Sequence, residues 1–304
     1  MDSQALLLLA AYSVGILATS LLGGWLPNRA QITHARLQMV LSFVAGLILG
    51  VAAYHLLPHA LAQISGHEAV ETAVWWMMAG MLVTLMLLFF LDFHEHDFSD
   101  EHSRLHDRAG RSSDSGGTVS WLGIVLGLGV HALTEGITLG STLRLAHHGE
   151  AGLAGLGVFL AIALHKPLDA LSVITTMKIK GLGQWPQRAA NVTFALICPI
   201  AAFATYWGAA QFGPSETLVL GCALAFAAGS FLCIALSDLL PEIHFHSHDR
   251  IKLAACFLTG VGIAYAMHWV EPSELHGSIE RQARAEPAQH LEFAMRLADA
   301  PLPH

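Results

Sequence analysis

The chain has 304 residues, 54% of them hydrophobic and 12% charged, against about 25% charged residues in an ordinary soluble domain. That deficit, together with long apolar runs, sets aside a globular protein built round one large core in favour of a polytopic membrane protein. The net charge of −8 comes with no basic face, which sets aside nucleic acid as a partner.

A membrane span needs about 20 mainly apolar residues. Polar and turn-forming clusters divide the chain into eight such stretches, at 5–25, 37–62, 70–92, 119–143, 151–176, 189–211, 216–240 and 251–270. The expected fold is all-α: an eight-helix membrane bundle over residues 1–270, with a His- and acid-rich loop at about 94–118 and a polar tail at 271–304. The first stretch opens Met1-Asp2-Ser3-Gln4, without a basic start, and its apolar run is longer than the core of a signal peptide. It reads as a retained span.

Basic residues orient the bundle. With both termini outside, the inside loops hold Arg29, Arg36, Arg104, Arg108, Arg111, Lys178, Lys180, Arg188, Arg250 and Lys252, whereas the short outside loops hold Arg144. That asymmetry obeys the positive-inside rule, and an even number of spans also returns both ends to one side. Gly46-xxx-Gly50 and Gly123-xxx-Gly127 suit close helix packing. Cys198, Cys222, Cys233 and Cys256 all fall in apolar stretches without a CxxC pair, and read as small buried hydrophobes.

Ionisable residues inside spans are expensive, and so mark function by default. His55 and His59 end the second span four residues apart, as possible members of an ion path. The run after the third span carries His94, His96, His102 and His106 among acids, a composition that binds metals weakly and reversibly. The fourth span carries His131 and Glu135; the fifth carries His165 and Asp169 with Lys166 and Pro167 between them. Residues four apart share a helix face, so each span presents one imidazole and one carboxylate, half of a metal site. A buried His–carboxylate bond that merely ties helices together is the competing reading for one pair; two pairs in consecutive spans favour ligands. Pro167 removes a backbone donor and kinks its helix. Lys166 needs a carboxylate partner, Glu135 or Asp169, unless it reaches a helix end or a water-filled cavity. It could supply a fixed positive charge in place of a second ion. Asp238 and Glu242 near the end of the seventh span extend the possible path, and His244, His246 and His248 form a second His cluster.

These residues resemble those of the ZIP (Zrt/Irt-like) family of divalent-metal transporters, over nearly all of 5–270. The family's fourth-span motif, of His-Asn-x-Pro-Glu-Gly type, appears as His131-Ala132-Leu133-Thr134-Glu135-Gly136, with His, Glu and Gly kept. The fifth-span counterpart reads His165-Lys166-Pro167-Leu168-Asp169, with Asp for the usual Glu. Tyr54-His55-Leu56-Leu57-Pro58 and Asp238-Leu239-Leu240-Pro241-Glu242 are similar to the second and seventh spans of the family. The resemblance implies a transport site of His131, Glu135, His165 and Asp169. Positions that hold a second metal in some members are Ala132, Lys166 and Cys198 here, which implies one ion, with Lys166 replacing the other. It also implies an elevator-like movement, with spans one, four, five and six sliding against the rest.

The expected function is passage of a divalent cation into the cytoplasm through a site between spans four and five. Nitrogen ligands favour Zn2+, with Fe2+, Mn2+, Co2+ and Cd2+ as alternatives. No nucleotide-binding GxxxxGK[ST] motif is present, so flow follows the metal gradient or a coupled ion. The competing class is an intramembrane metal-dependent hydrolase, which would keep three ligands and an open position for water. Lipid and the metal are the expected partners, and a homodimer is compatible with the plan. The compact loops suit a cell (inner or plasma) membrane with both termini extracytoplasmic.

Overall fold

A computed structural model describes the backbone at residues 3–25, 34–66, 68–104, 117–146, 153–179, 181–239, 250–267 and 269, and the side chains of these residues except 34–37, 89–104, 117–126, 179 and 238–239. Helix α1 spans Ser3–Trp25. Helix α2 (His34–Val51) continues through a π turn (Ala52–Leu56) into α3 (Leu57–Gln63). Then follow α4 (Ala69–Arg104), α5 (Gly117–Leu145), α6 (Leu156–Ile179) and α7 (Gln184–Gly208). A 3-10 segment (Ala209–Ser215) leads to α8 (Glu216–Cys233), which runs into a second π turn (Ile234–Leu239), and α9 covers Arg250–Met267. The described residues contain no strand, so the all-α expectation holds.

Each stretch read as a span contains helix. Among the described residues, six segments are long and apolar enough to cross a membrane, including Ser3–Trp25, Gln38–Gln63, Ala69–Leu88, Leu156–Lys178 and Arg250–Met267. The sixth, Gln184–Ser237, is 54 residues long. At about 1.5 Å rise per residue it exceeds a hydrocarbon core of about 30 Å, and it bends between α7 and α8, where Gly213 takes φ 54° ahead of Pro214. Large apolar side chains face outward, with Leu7 70% and Ile251 87% exposed, as suits a lipid surround.

Expected boundaries move: the fifth span, expected from 151, begins as helix at Leu156 after a turn at 153–155, and the end of the third moves further. The polar run expected as a loop from about residue 94 is helical as far as Arg104. Residues 91–104 contain no Gly or Pro to interrupt α4, and Leu, Glu and Arg sustain a helix without an apolar face.

The π turn at 52–56 also has a local cause. Pro58 cannot donate to the Tyr54 carbonyl, and its ring crowds that turn; a wider turn just before it relieves the conflict. His55 lies in this turn, and Asp238 in the second.

The helices pack in two groups. In the first, α5 lies against α7, α1 against α6 and α7, and α6 against both α5 and α7. In the second, α2 packs on α9, while α4 and α3 pack on α8. The groups meet where α5 touches α8 and α4, and where α2 touches α6. Close approach inside the second group depends on glycine. A Cβ on Gly46 would overlap the Phe257 backbone and one on Gly50 would strike Ala264, so the Gly46-xxx-Gly50 expectation holds. A Cβ on Gly229 would overlap the Met77 carbonyl of α4. Gly229→Val is therefore expected to destabilise the α4–α8 contact by about 1–3 kcal/mol, the usual penalty of overpacking. Melting of the detergent-solubilised protein checks this, with Gly262→Ala, which meets no atom within 4 Å, as the near-neutral control.

Candidate metal centre

Helices α5 and α6 supply the site, each through an i, i+4 pair on one face. His131 and Glu135 come from α5; His165 and Asp169 come from α6. Two backbone features bring in the neighbouring helices. A Cβ at Gly136 would overlap the Cys198 carbonyl, so its absence lets α7 close on α5 next to Glu135. Gly23 of α1 likewise meets the Pro167 backbone, at the point where α6 lacks a main-chain donor.

Glu135 is the hub. It is fully buried, and one oxygen, Oε2, accepts from the Lys166 ammonium. The other, Oε1, meets His165 Nε2 and lies 3.2 Å from His131 Nε2. The two imidazole nitrogens are 3.4 Å apart. Asp169 Oδ2 lies 3.8 Å from His131 Nε2 and 3.9 Å from His165 Nε2, outside hydrogen-bond range. It is buried without a hydrogen-bond partner.

The ring of His165 is oriented from behind. Its Nδ1 donates to the Ala161 carbonyl at 2.6 Å. A carbonyl only accepts, so the proton of the neutral ring sits on Nδ1 and the Nε2 lone pair faces the centre, the arrangement usual behind a metal-ligating histidine. Nε2 and Glu135 Oε1 are then two acceptors face to face, which a proton or a metal ion reconciles.

One ligand atom from each of His131, Glu135, His165 and Asp169 lies within 4.8 Å of the others. Zinc with ligands at about 2.0–2.2 Å in a tetrahedron separates them by about 3.3–3.6 Å. The separations of 3.2, 3.4, 3.8 and 3.9 Å bracket that value, while the His165–Glu135 contact is closer. The donor set of two imidazoles and two carboxylates suits a borderline divalent ion.

Lys166 is fully buried. It therefore reaches neither a helix end nor a cavity, and of the two partners open to it, it takes Glu135. Its Nζ also lies 4.6 Å from the centre of the Phe194 ring of α7, a cation–π contact. Phe194 was not singled out in the sequence, although it stands four residues before Cys198 and so shares its helix face.

A cavity of about 40 Å³ reaches His131 and Asp169, room for about three or four waters at about 10–15 Å³ each. Val83, Leu87 and Leu88 of α4, Gly127 and Leu128 of α5 and Phe226 of α8 wall it. It lies between the two helix groups, beside the middle of α5 from Gly127 to Thr134.

Among the described residues, His55 and His59 stand outside this cluster. His55 is buried and its Nε2 donates to the Ala264 carbonyl at 2.8 Å, tying the π turn to α9. The His59 ring is 6.5 Å from that of His55. His94, His96 and His102 stand on α4 with side chains outside the described residues, as does the side chain of Asp238. His106, Glu242, His244, His246 and His248 lie wholly outside the described residues.

The family model for the ZIP zinc transporters matches residues 92–268, more than half of the chain. Among curated proteins, the chain is similar to zinc transporter ZIP9-A of Xenopus laevis, 27% identical over 271 residues, covering 78% of this chain and 86% of that protein. Zinc transporter ZIP9 of Xenopus tropicalis is 27% identical with the same coverage. Human zinc transporter ZIP13 is 26% identical over 270 residues, covering 78% of this chain and 69% of that protein. These relatives are named as transporters and none as a hydrolase, so the enzyme alternative has no support. The family match and the apolar helices lead to one conclusion: this chain is an integral membrane protein of the ZIP zinc transporter family.

Proposed function

We propose that the chain carries one divalent cation at a time, zinc foremost, into the cytoplasm, and that His131, Glu135, His165 and Asp169 hold the ion during passage. The observation that carries this reading is the convergence of four ligand atoms from α5 and α6 within 4.8 Å, one of them the orphaned oxygen of Asp169. The names of the relatives point to zinc; Fe2+, Mn2+, Co2+ and Cd2+ fit the same donor set. Lys166 serves as a fixed second cation, so that one ion balances the two carboxylates and the lysine leaves the loaded site positive. Such a site binds weakly enough to release its cargo.

The loop charges favour eight crossings with both termini extracytoplasmic, in a cell membrane. In that orientation the N-terminal end of α5 faces the cytoplasm, and Arg144 at its other end faces outside. The division into α1, α5, α6, α7 and the remaining helices supports a first group that slides, ion in place, against a second. His55, His59, Asp238 and Glu242 would line the path, and the two His-rich tracts would collect the ion inside. A homodimer in the bilayer is compatible with this scheme.

The test is the purified chain in liposomes loaded with a zinc-sensitive dye. Uptake down a zinc gradient is expected, and His165→Ala should reduce it at least a hundredfold. Equal uptake by wild type and His165→Ala would remove the site from the pathway.

A further inference from the structure

An ion pair ties the two helix groups together at the end of the bundle away from the cavity. Arg144, in the last turn of α5, donates from Nε to Glu216 Oε1 in the first turn of α8 at 2.5 Å. Its guanidinium carbon also lies 5.7 Å from the centre of the Tyr206 ring of α7. Arg144 therefore belongs with α5 and α7, and reaches across to α8 of the other group. Each charge also suits its own helix end, the cation at a C-terminus and the anion at an N-terminus, so the partners remain charged and placed when separated. Arg144 follows His131 by thirteen positions, about 20 Å along the helix at about 1.5 Å per residue. The cavity, by contrast, touches α5 at Gly127–Leu128 and at Val130, His131 and Thr134. The pair thus bridges the two groups ten positions beyond Thr134, the last α5 residue on that cavity, and a second, apolar-walled cavity of about 460 Å³ lies between α5, α7 and α8 on this side of the site.

We infer that Arg144 and Glu216 form a latch that holds the two helix groups together at this end of their interface, and that this latch must part once in every transport cycle. The inference rests on the transport reading above. A direct ion pair tolerates little displacement, so any slide of α5 past α8 large enough to turn the site round separates the two side chains. A pair about one-fifth exposed is worth little in isolation, which suits a contact that must break repeatedly.

The experiment uses the full chain in zinc-sensing liposomes. In Arg144→Cys/Glu216→Cys, a short bis-methanethiosulfonate should bridge the two thiols through disulfides and stop uptake, and reduction of those disulfides should restore it. Wild type treated in the same way should keep its rate, with Cys198, Cys222, Cys233 and Cys256 all present. Arg144→Gln and Glu216→Gln should each change the uptake rate by about two- to fivefold, in the same direction. The charge-exchanged Arg144→Glu/Glu216→Arg should return to within about twofold of wild type. Full uptake by the bridged protein, or an exchanged pair no nearer wild type than either single variant, would overturn the latch while leaving transport standing. Wild-type liposomes that admit no metal would overturn both.

Discussion

Glu135→Gln is expected to abolish zinc uptake and to lower stability at the same time, the largest combined effect of any single change. Among the described residues, Glu135 alone touches both imidazoles and the lysine. Glutamine keeps the size but loses the charge, so the loaded site would hold a divalent ion and an ammonium against one carboxylate. Uptake should fall at least a hundredfold. Lys166, fully buried, would be left without its counter-charge, and breaking a buried pair from one side costs about 3–5 kcal/mol. The two effects separate in the double variant Glu135→Gln/Lys166→Met, which removes both members of the pair. Its melting temperature should recover most of the loss while uptake stays at background. If stability fails to recover, the pair is not what holds this region. If uptake survives in Glu135→Gln, the carboxylate is not a ligand.

The second expected result runs in an unusual direction. Lys166→Met should bind zinc more tightly than wild type and move it more slowly. The ammonium is fixed beside a carboxylate that is also offered to the ion. At an effective dielectric of about 20, unit charges about 4 Å apart interact by about 4 kcal/mol, and a unit charge and a divalent ion by about 8 kcal/mol; Glu135 offsets most of that repulsion. A residue of about 1.4 kcal/mol is a tenfold change in affinity. Methionine fills similar volume against Phe194, removes the repulsion and frees Glu135 Oε2 for the ion. Competition against a chelating dye should show affinity raised about tenfold or more, while liposome uptake at saturating zinc should slow by a similar factor. Affinity that is unchanged or weaker would mean that Lys166 supports the ligands without opposing the ion.

Much of this was legible in the chain because spacing and face are linked in a helix. The i, i+4 pairs His131/Glu135 and His165/Asp169 predicted two half-sites, and the structure sets the halves against each other. The choice of Glu135 over Asp169 as the partner of Lys166 was not legible, since both carboxylates lie within reach of one flexible stem and periodicity does not rank them. Phe194 was hidden for another reason: aromatic residues are common in spans, and nothing marks the one that lies under a cation. Arg144 was visible only as a loop charge, because its partner stands 72 residues away and periodicity does not say which spans touch. The extent of α4 was misjudged by equating polarity with loop, although a charged run without Gly or Pro continues a helix readily.

The π turn at 52–56 has a consequence for the shape of its rod. Relative to an unbroken α-helix of the same sequence, a turn that absorbs one surplus residue swings everything beyond it by about 100°. This is how a single length of chain serves two neighbours, α2 facing α9 and α3 facing α8. The rod is a crankshaft whose offset is set by a proline, and a one-residue change in that short stretch would re-aim its whole outer arm.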